Sequence, residues 1–536
     1  MQEKLELLIR QAKRAADAMA AHSGTVRVVS HYDADGIASS AIIARALMRA
    51  GRRFRLTLVK QLTMNAIGAL AGEDNEMLVL LDLGSGQLDA IRSMLKVPLV
   101  IVADHHQKEG ETGGGLVHVN PMDYGISEDI SGSGVAYIIA RAFGAHNRDL
   151  SALAIVGAIG DSQIGAIGEE WGLFGLNREI LKDAVDAGKI RVTKGLRLWG
   201  RTTRPVHKAL EFTVDPYIPN VSGSESSAIQ FLQELGIPPK KEDGGWRTLS
   251  DLTEDEQKRL ASGIIAERVN GNHPNAEWIF GDVYELVDKG GECRDANEFA
   301  TVLNACGKTG AGYLGVELCL DVERAFGEVR PVLEKYRKTV GDAVRWIHRQ
   351  IEAPESAFAR KTAKAWYILA GSRINENVIS NALSIVEKSL APGKPVFAFA
   401  DSEEGVKVSA RAGAGLVGSG INLKDVVFGA AEKAGGQGGG HSGAAGANIP
   451  AGSEEAFIAA AEGLLPGEDT NKSLGGDKNI NQGEIRINSE AEADGRGSEK
   501  ELKETAGREK VERKGLVQYF GSRMAGQGQG RGDAGD

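Results

Sequence analysis

The stretch VVSHYDADGIASS, residues 28–40, decides how the whole chain reads. An apolar run rich in β-branched residues stops, His31, Asp33 and Asp35 follow, and Gly36 opens a small-residue segment. The run predicts a buried strand, and GIASSAIIARALMRA (36–50) predicts a helix. A strand that passes straight into a helix leaves the side chains between them at its carboxyl end. That is where open α/β sheets bind ligands. Three metal-seeking side chains therefore stand at a place built for a ligand.

Working outward, the pattern repeats. Short apolar strands are expected at TVRVVS (25–30), FRLTLV (54–59), MLVLLD (77–82), PLVIVAD (98–104) and LVHVN (116–120). Helices are expected at 3–22, 36–50, 131–144 and 149–161. Apolar strands alternating with helices predict a parallel sheet covered on both faces. From about 190 to 350 the pattern becomes irregular and mostly helical, which reads as an insertion. Near 364 a second α/β segment begins with AKAWYILAG, continues through the helix NENVISNALSIVEKSL and the hairpin PVFAFADSEEGVKVSARAG, and closes with GGQGGGHSGAAGANIP (435–450). The fold class is thus α/β: a parallel-sheet domain (1–190), an inserted mostly helical region (191–355), and a smaller α/β domain across a cleft (356–465). Residues 466–536 carry few apolar groups and many charges and glycines, so this tail is expected to be disordered.

Composition narrows the function classes. A chain of 536 residues exceeds one ordinary domain, and 42% hydrophobic residues support sizeable cores. The net charge of −10 excludes a uniformly basic surface, so an anionic substrate must be held by a local basic patch or by metals. Cys293, Cys306 and Cys319 share no C-x-x-C spacing, which argues against structural zinc or a disulfide framework and fits a reducing cytoplasm. The N-terminus is charged and amphipathic, unlike a signal peptide. No apolar run approaches the ~20 residues of a membrane span. A cytoplasmic protein with no membrane partner is expected.

Four acidic or histidine clusters fall at predicted strand or helix ends: H-Y-D-A-D (31–35), D-L-G (82–84), D-H-H (104–106) and G-D-S (160–162). Taken singly, each is an ordinary loop or cap. Taken together they bring many carboxylates and imidazoles to one sheet end. Such crowding destabilises the charged forms unless cations are bound. Two divalent metals ~3.5–4 Å apart, bridged by an Asp, form the usual arrangement for in-line displacement at phosphorus. Oxygen ligands with a few imidazoles suit manganese first, with magnesium as the alternative.

These motifs resemble a known family. SHYDADG, LLDLG, VADHHQ and AIGDS look like the four motifs of the DHH phosphoesterase superfamily, and GGQGGGHSGAAG looks like the glycine-rich signature of its DHH-associated C-terminal domain. LNACG (303–307) and the overall layout resemble archaeal RecJ-like proteins, including GINS-associated nucleases. The resemblance spans about residues 20–465. It implies His31 and Asp33 as ligands of a first metal, and Asp35, His105 and Asp161 as ligands of a second. Asp82 would bridge them, His106 would contact the scissile phosphate, and Asp104 would orient a ligand from behind. It implies a manganese- or magnesium-dependent exonuclease acting on single-stranded nucleic acid, 5′-to-3′ on DNA, in replication or repair. The archaeal relatives leave RNA, short oligonucleotides and the opposite polarity open. Two alternatives stand beside it: an oligoribonuclease or cyclic-dinucleotide phosphodiesterase, and a GINS-binding replisome scaffold without catalysis.

Substrate contacts are expected from Gly439, Gly440 and His441 of the glycine run and from Arg411 in KVSARAG. Glycines let backbone N–H groups approach a phosphate closely. GKIRVTKGLRLWGRTTRPVHKAL (188–210) contains seven basic residues and no acidic one, with Trp199 among them. It reads either as a strand-binding patch with a stacking ring or as a solvated helix face with Trp199 in the core. In the tail, RKGLVQYFGSR (513–523) spaces Leu516, Tyr519 and Phe520 as one helical turn. That spacing resembles a sliding-clamp (PCNA) interaction motif, with Arg513 where glutamine is usual. Deleting 513–523 is expected to weaken binding to a sliding clamp in a pull-down or titration, and unchanged binding would remove the clamp as a partner.

Overall fold

The computed structural model describes residues 2–466 apart from 127–129, 168–169, 202, 214–215, 272–275, 354 and 390–392. The tail beyond 466, with the apolar stretch at 513–523, lies outside the described residues. The described residues form two compact units, one from 3–349 with 377–389 and the other from 350–376 with 393–466.

The first unit is organised by a five-stranded parallel sheet. Its strands are β1 (Val26–His31), β2 (Phe54–Val59), β3 (Met77–Leu81), β4 (Leu99–Ala103) and β5 (Leu116–Val119), in the order β2-β1-β3-β4-β5. Every residue of β3 is buried, as a central strand covered on both faces requires. One cover is made by helices α3 (Met64–Ala71) and α4 (Leu88–Met94), with Ile67, Leu70, Leu88 and Ile91 against Leu78, Leu80 and Val102. Helix α1 (Gln2–Ala21) buries Leu5, Leu8, Ile9 and Ala12. A tight layer is formed by α2 (Ala34–Arg49), α5 (Gly132–Phe143) and α6 (Ser151–Gly160), which pack on one another. Their small residues allow this approach. A Cβ placed on Gly157 would lie 2.1 Å from Ser133 Oγ and 2.5 Å from Asp35 Oδ1.

Behind α6 come a short hairpin, β6 (Ile164–Ile167) with β7 (Glu170–Leu173), and helix α7 (Gly175–Asp186). The inserted region is mostly helical, as expected, but it is entered and left through an antiparallel ribbon of β8 (Ile190–Leu196) and β9 (Phe280–Leu286). It has its own core, in which α8 (Val206–Phe212), α9 (Glu225–Glu234) and α10 (Glu254–Asn270) bury Leu210, Leu232, Leu260 and Ile264. Helices α11 (Ala296–Lys308) and α12 (Gly312–Leu320) return to pack on α6 and α2. The 31-residue α13 (Val322–Glu352) and then α14 (Glu376–Ser389) complete this unit.

The second unit holds a six-stranded mixed sheet of β10 (Ala359–Lys361), β11 (Trp366–Gly371), β12 (Val396–Ser402), β13 (Gly405–Arg411), β14 (Gln437–Gly440) and β15 (Ala444–Ile449). The β12–β13 pair is the hairpin read from the sequence. Helices α16 (Leu423–Lys433) and α17 (Glu454–Leu464), with the short α15 (Ala414–Gly418) between β13 and α16, cover a core containing Tyr367, Phe397, Phe399 and Phe457. Among the described residues, no helix is long and apolar enough to cross a membrane.

The packing of α5 on α6 gives a direct test. Gly157→Ala should lower stability by about 1–3 kcal/mol through overpacking, read as a fall in thermal midpoint. An unchanged midpoint would mean that the two helices have slack.

Candidate metal centre

The carboxyl end of the parallel sheet gathers the side chains. His31 is the last residue of β1. Asp33 caps α2, its carboxylate accepting the Gly36 N–H at 3.0 Å, and Asp35 lies in that helix's first turn. Asp82 follows β3 and Asp104 follows β4. Asp161 caps the carboxyl end of α6. Residues from four separate segments thus meet because strands and helices end at one level.

Asp82 stands at the middle. It is 3% exposed and adopts a left-handed backbone conformation, φ 57°, which non-glycine residues rarely hold without a reason. One oxygen, Oδ2, lies 3.6 Å from His31 Nδ1. The other, Oδ1, lies 3.4 Å from His105 Nε2. His31 also lies 3.1 Å from Asp33, and His105 lies 3.6 Å from Asp161. Two groups result, His31–Asp33–Asp82 and Asp35–His105–Asp161, and in each the ligand atoms lie within 4.8 Å of one another. Asp82, Asp104, His105 and His106 form a third such group. A Cβ on Gly132 would lie 2.5 Å from Asp82 Oδ1, so glycine is required there to admit the carboxylate.

The Asp35 carboxylate is gripped by the amino end of α5, accepting from Gly132 N at 2.7 Å and Ser133 N at 3.0 Å. Those amides, with the helix dipole, offset part of the charge buried there. Asp104 is fully buried. Its oxygens accept from Ser85 N (2.9 Å), His105 N (2.8 Å) and His106 Nδ1 (2.7 Å), which leaves it suited to orienting the turn. His106 is more than half exposed, and this bond leaves its Nε2 for a ligand.

Electrostatics reflect the crowding. Burial, then the charges of Asp82 and Asp161, push Asp35 well above the usual carboxylate range. Asp161 is raised to about 6 by burial, against the pull of His105. Burial opposes a charge on His105, but the neighbouring Asp82 carboxylate, 3.4 Å from its Nε2, carries it up to about 10. Asp104 in the same way carries His106 up to about 9. Burial opposes ionisation of Asp33, yet His31, the Gly36 amide and Lys308 hold it well below its ordinary value.

The residues fit divalent metals. Asp82 Oδ1 and His105 Nε2 are buried and make no hydrogen bond among the described residues, as two ligand atoms aimed at one ion would be. The set of carboxylates with two imidazoles suits manganese or magnesium. Two supporting residues were not singled out from the sequence. Asn304 of α11 accepts the Ala34 N–H at 3.0 Å, and Lys308 acts electrostatically on Asp33. Both lie in or beside LNACG, and only the return of α11 to the sheet brings them here.

The expected substrate residues belong to the second unit. There the glycine run forms an edge strand rather than a free loop: Gly439 pairs with Gly446 and Gly440 with Ala445. The His441 N–H is already given to Ala444 O at 2.8 Å. Arg411 ends β13 opposite Ala444, so Arg411 and His441 share one end of that sheet. The hydrogen-bonding demand of a sheet edge explains why the glycines extend instead of curling into a cradle.

The basic stretch 188–210 is likewise corrected. It is not a helix face: it forms β8, an irregular turn and the start of α8. Its cations are largely met by acids or rings. Lys189 pairs with Asp288, Lys194 with Asp282 (2.6 Å), and Lys208 with Glu211 (2.8 Å) and Glu225 (2.7 Å). Arg197 lies 3.5 Å over the Trp171 ring. Trp199 is taken by Arg204 and Arg337, at 4.5 and 4.9 Å, so it is no open stacking platform.

Known proteins share stretches of this sequence and its fold. Residues 25–160 match the DHH family, N-terminal domain, 198–278 the DHH-CID domain and 363–466 the DHHA1 domain. An uncharacterized protein of Methanocaldococcus jannaschii is 30% identical over 467 residues, covering 85% of this chain and 97% of that one. The single-stranded-DNA-specific exonuclease RecJ of Thermus thermophilus is 28% identical over 246 residues, 42% of this chain and 34% of its own length. The chain therefore spans only about a third of that enzyme. A manganese-bound structure of the same Thermus RecJ superposes with a TM-score of 0.53 at 19% identity, covering 86% of this chain and 55% of that one. CDC45 from Entamoeba histolytica superposes with a TM-score of 0.55 at 12% identity, covering 86% and 98%. These distant structural likenesses establish the fold.

The metal-free site makes a proton-linked prediction. Because the His105 pKa is raised above its ordinary 6.5, protonation stabilises the metal-free fold. That contribution is complete below 6.5 and is lost as the pH rises through about 10. A divalent cation needs the neutral ring, so binding near pH 7 should release about one or two protons and tighten as pH rises. Calorimetric titration of Mn2+ in buffers of different ionisation enthalpy reads this, and buffer-independent heats would contradict it.

Proposed function

This chain belongs to the DHH family and is RecJ-like, and from that premise we propose that it is a divalent-cation-dependent phosphodiesterase that removes nucleotides from an end of single-stranded DNA or RNA. The observation that carries the reading is Asp82. Its two oxygens face two separate His/Asp groups, with buried ligand atoms left unsatisfied. His31 and Asp33 would hold one cation, Asp35, His105 and Asp161 the other, and Asp82 both. Bound there, the cations would supply Lewis acidity at phosphoryl oxygens and an acidified water.

The chain's own residues do the remaining work. His106, held by Asp104 and protonated near neutral pH, donates from Nε2 to an oxygen of the scissile phosphate. The Asp104 carboxylate fixes that ring's orientation. The amides of Gly132 and Ser133 keep Asp35 aimed inward. Arg411 and His441, with Gly439 and Gly440 of the edge strand β14, are the proposed contacts to a terminal phosphate or base. The name of the Thermus relative supports single-stranded DNA as the first substrate to try.

A second reading is a scaffold that binds GINS without catalysis. Binding alone would require none of the buried carboxylates to cluster, and their clustering favours the enzyme. Small substrates such as dinucleotides remain within reach of the same centre.

End-labelled single-stranded DNA and RNA of matched sequence, digested with Mn2+ or Mg2+, test the proposal. Mononucleotide release from one end is expected, and Asp82→Ala should reduce it by about 10³-fold or more while the protein stays folded. A wild-type chain inert on all single strands would favour the scaffold, and equal turnover of dinucleotides and long strands would favour the small-substrate enzyme.

A further inference from the structure

Beneath the D-H-H turn lies a buried polar network that none of the motifs announces. His118 of β5 is 2% exposed. Its Nδ1 lies 2.6 Å from Asp123 Oδ2, and its Nε2 lies 3.0 Å from Ser85 Oγ. The carboxylate accepts the Nδ1–H and so fixes the tautomer, leaving Nε2 to accept the Ser85 hydroxyl proton. Ser85 Oγ in turn accepts one N–H of the Asn120 amide at 2.9 Å. The other N–H of that amide goes to His106 O at 2.9 Å, and its carbonyl accepts Met122 N at 2.9 Å. Ser85 closes the circuit through its backbone, with N–H to Asp104 Oδ2 at 2.9 Å and C=O from Glu109 N at 2.8 Å.

The order Ser–His–Asp has the form of a nucleophilic triad, but its setting excludes that role. Ser85 is fully buried, and its hydroxyl already donates to one neighbour and accepts from another. What the network touches is the turn that carries His105 and His106. It grips Asp104 from one side and the His106 carbonyl from the other. Lys108, farther along the same turn, reaches Asp123 at 3.5 Å. Each member has its donors and acceptors assigned in one way, so the turn has one seat.

We infer that Ser85, His118, Asn120 and Asp123 are positioning residues that set the Asp104–His106 turn, holding His105 toward the metal centre and His106 toward the phosphate. This inference rests on the reading of the centre given above. Outer partners of metal-ligand groups are typically worth about 10–100-fold in metal affinity or activity. Ser85→Ala removes the hydroxyl that joins His118 to Asn120, and Asp123→Asn removes the tautomer lock while keeping its shape.

The test measures Mn2+ affinity by calorimetry, thermal midpoint, and kcat and KM on a single-stranded substrate for both variants. Expected is a loss of about 10-fold or more in Mn2+ affinity or in kcat, with KM little changed and the fold intact. A loss in either quantity supports the network. Unchanged affinity and kcat with a lowered midpoint would overturn it, leaving a merely structural role. Should Ser85→Ala fail to fold, the half-buried Asp123→Asn variant carries the same test. Mn2+ affinity needs no turnover, so a parent chain inert on every substrate would remove the nuclease reading while the affinity comparison still decides this one.

Discussion

Like charge crowded around Asp82 is the constraint on which the first unit depends. Four aspartates and two histidines converge there, with Asp35 and Asp82 buried and His31, Asp33, His105 and Asp161 partly exposed. Buried carboxylates repel one another and resist ionisation. Nature resolves such a conflict with protons or with cations. The crowding is visible in the side chains themselves, with Asp35 and Asp161 pushed up by burial and His31 and His105 pushed up by the neighbouring aspartates. A divalent pair would resolve the conflict without holding every group in the wrong protonation state for catalysis.

The scaffold makes that crowding tolerable by fixed backbone devices. Asp82 holds a left-handed conformation directly after a fully buried strand, and the missing Cβ of Gly132 leaves room for its carboxylate. Asp35 draws on the amide dipoles of α5, and Asp33 on its own helix's first turn. Asp104 spends its oxygens on backbone and imidazole donors. The polar network under the turn extends the same logic outward. Rigid elements supply the position, and each side chain has little freedom left to lose when a ligand arrives.

Charge elsewhere is handled differently. The inserted ribbon pairs its lysines with acids of β9 and its neighbours, and its arginines lie over tryptophan rings. The most basic stretch is thus partly paired within the chain.

Much was legible in the chain's order of residues. The strands read at 54–59 and 77–82, the helices read at 36–50 and 131–144, and the four acidic clusters declare themselves through local periodicity and punctuation, to within one or two residues of the bounds seen. Period and capping are properties of neighbouring residues, so sequence alone determines them. Tertiary structure decided what depends on distant partners. Only folding could show that Asp82 divides its oxygens between two groups, that Asn304 and Lys308 return to the first domain, and that His118 locks Ser85. The same holds for the glycine run, which looked like a loop until β15 supplied its hydrogen-bond partner, and for 188–210, whose cations looked free until the facing acids were placed. Pairing across long separations leaves no periodic trace in the chain, because its energy lies in contacts between segments rather than within them.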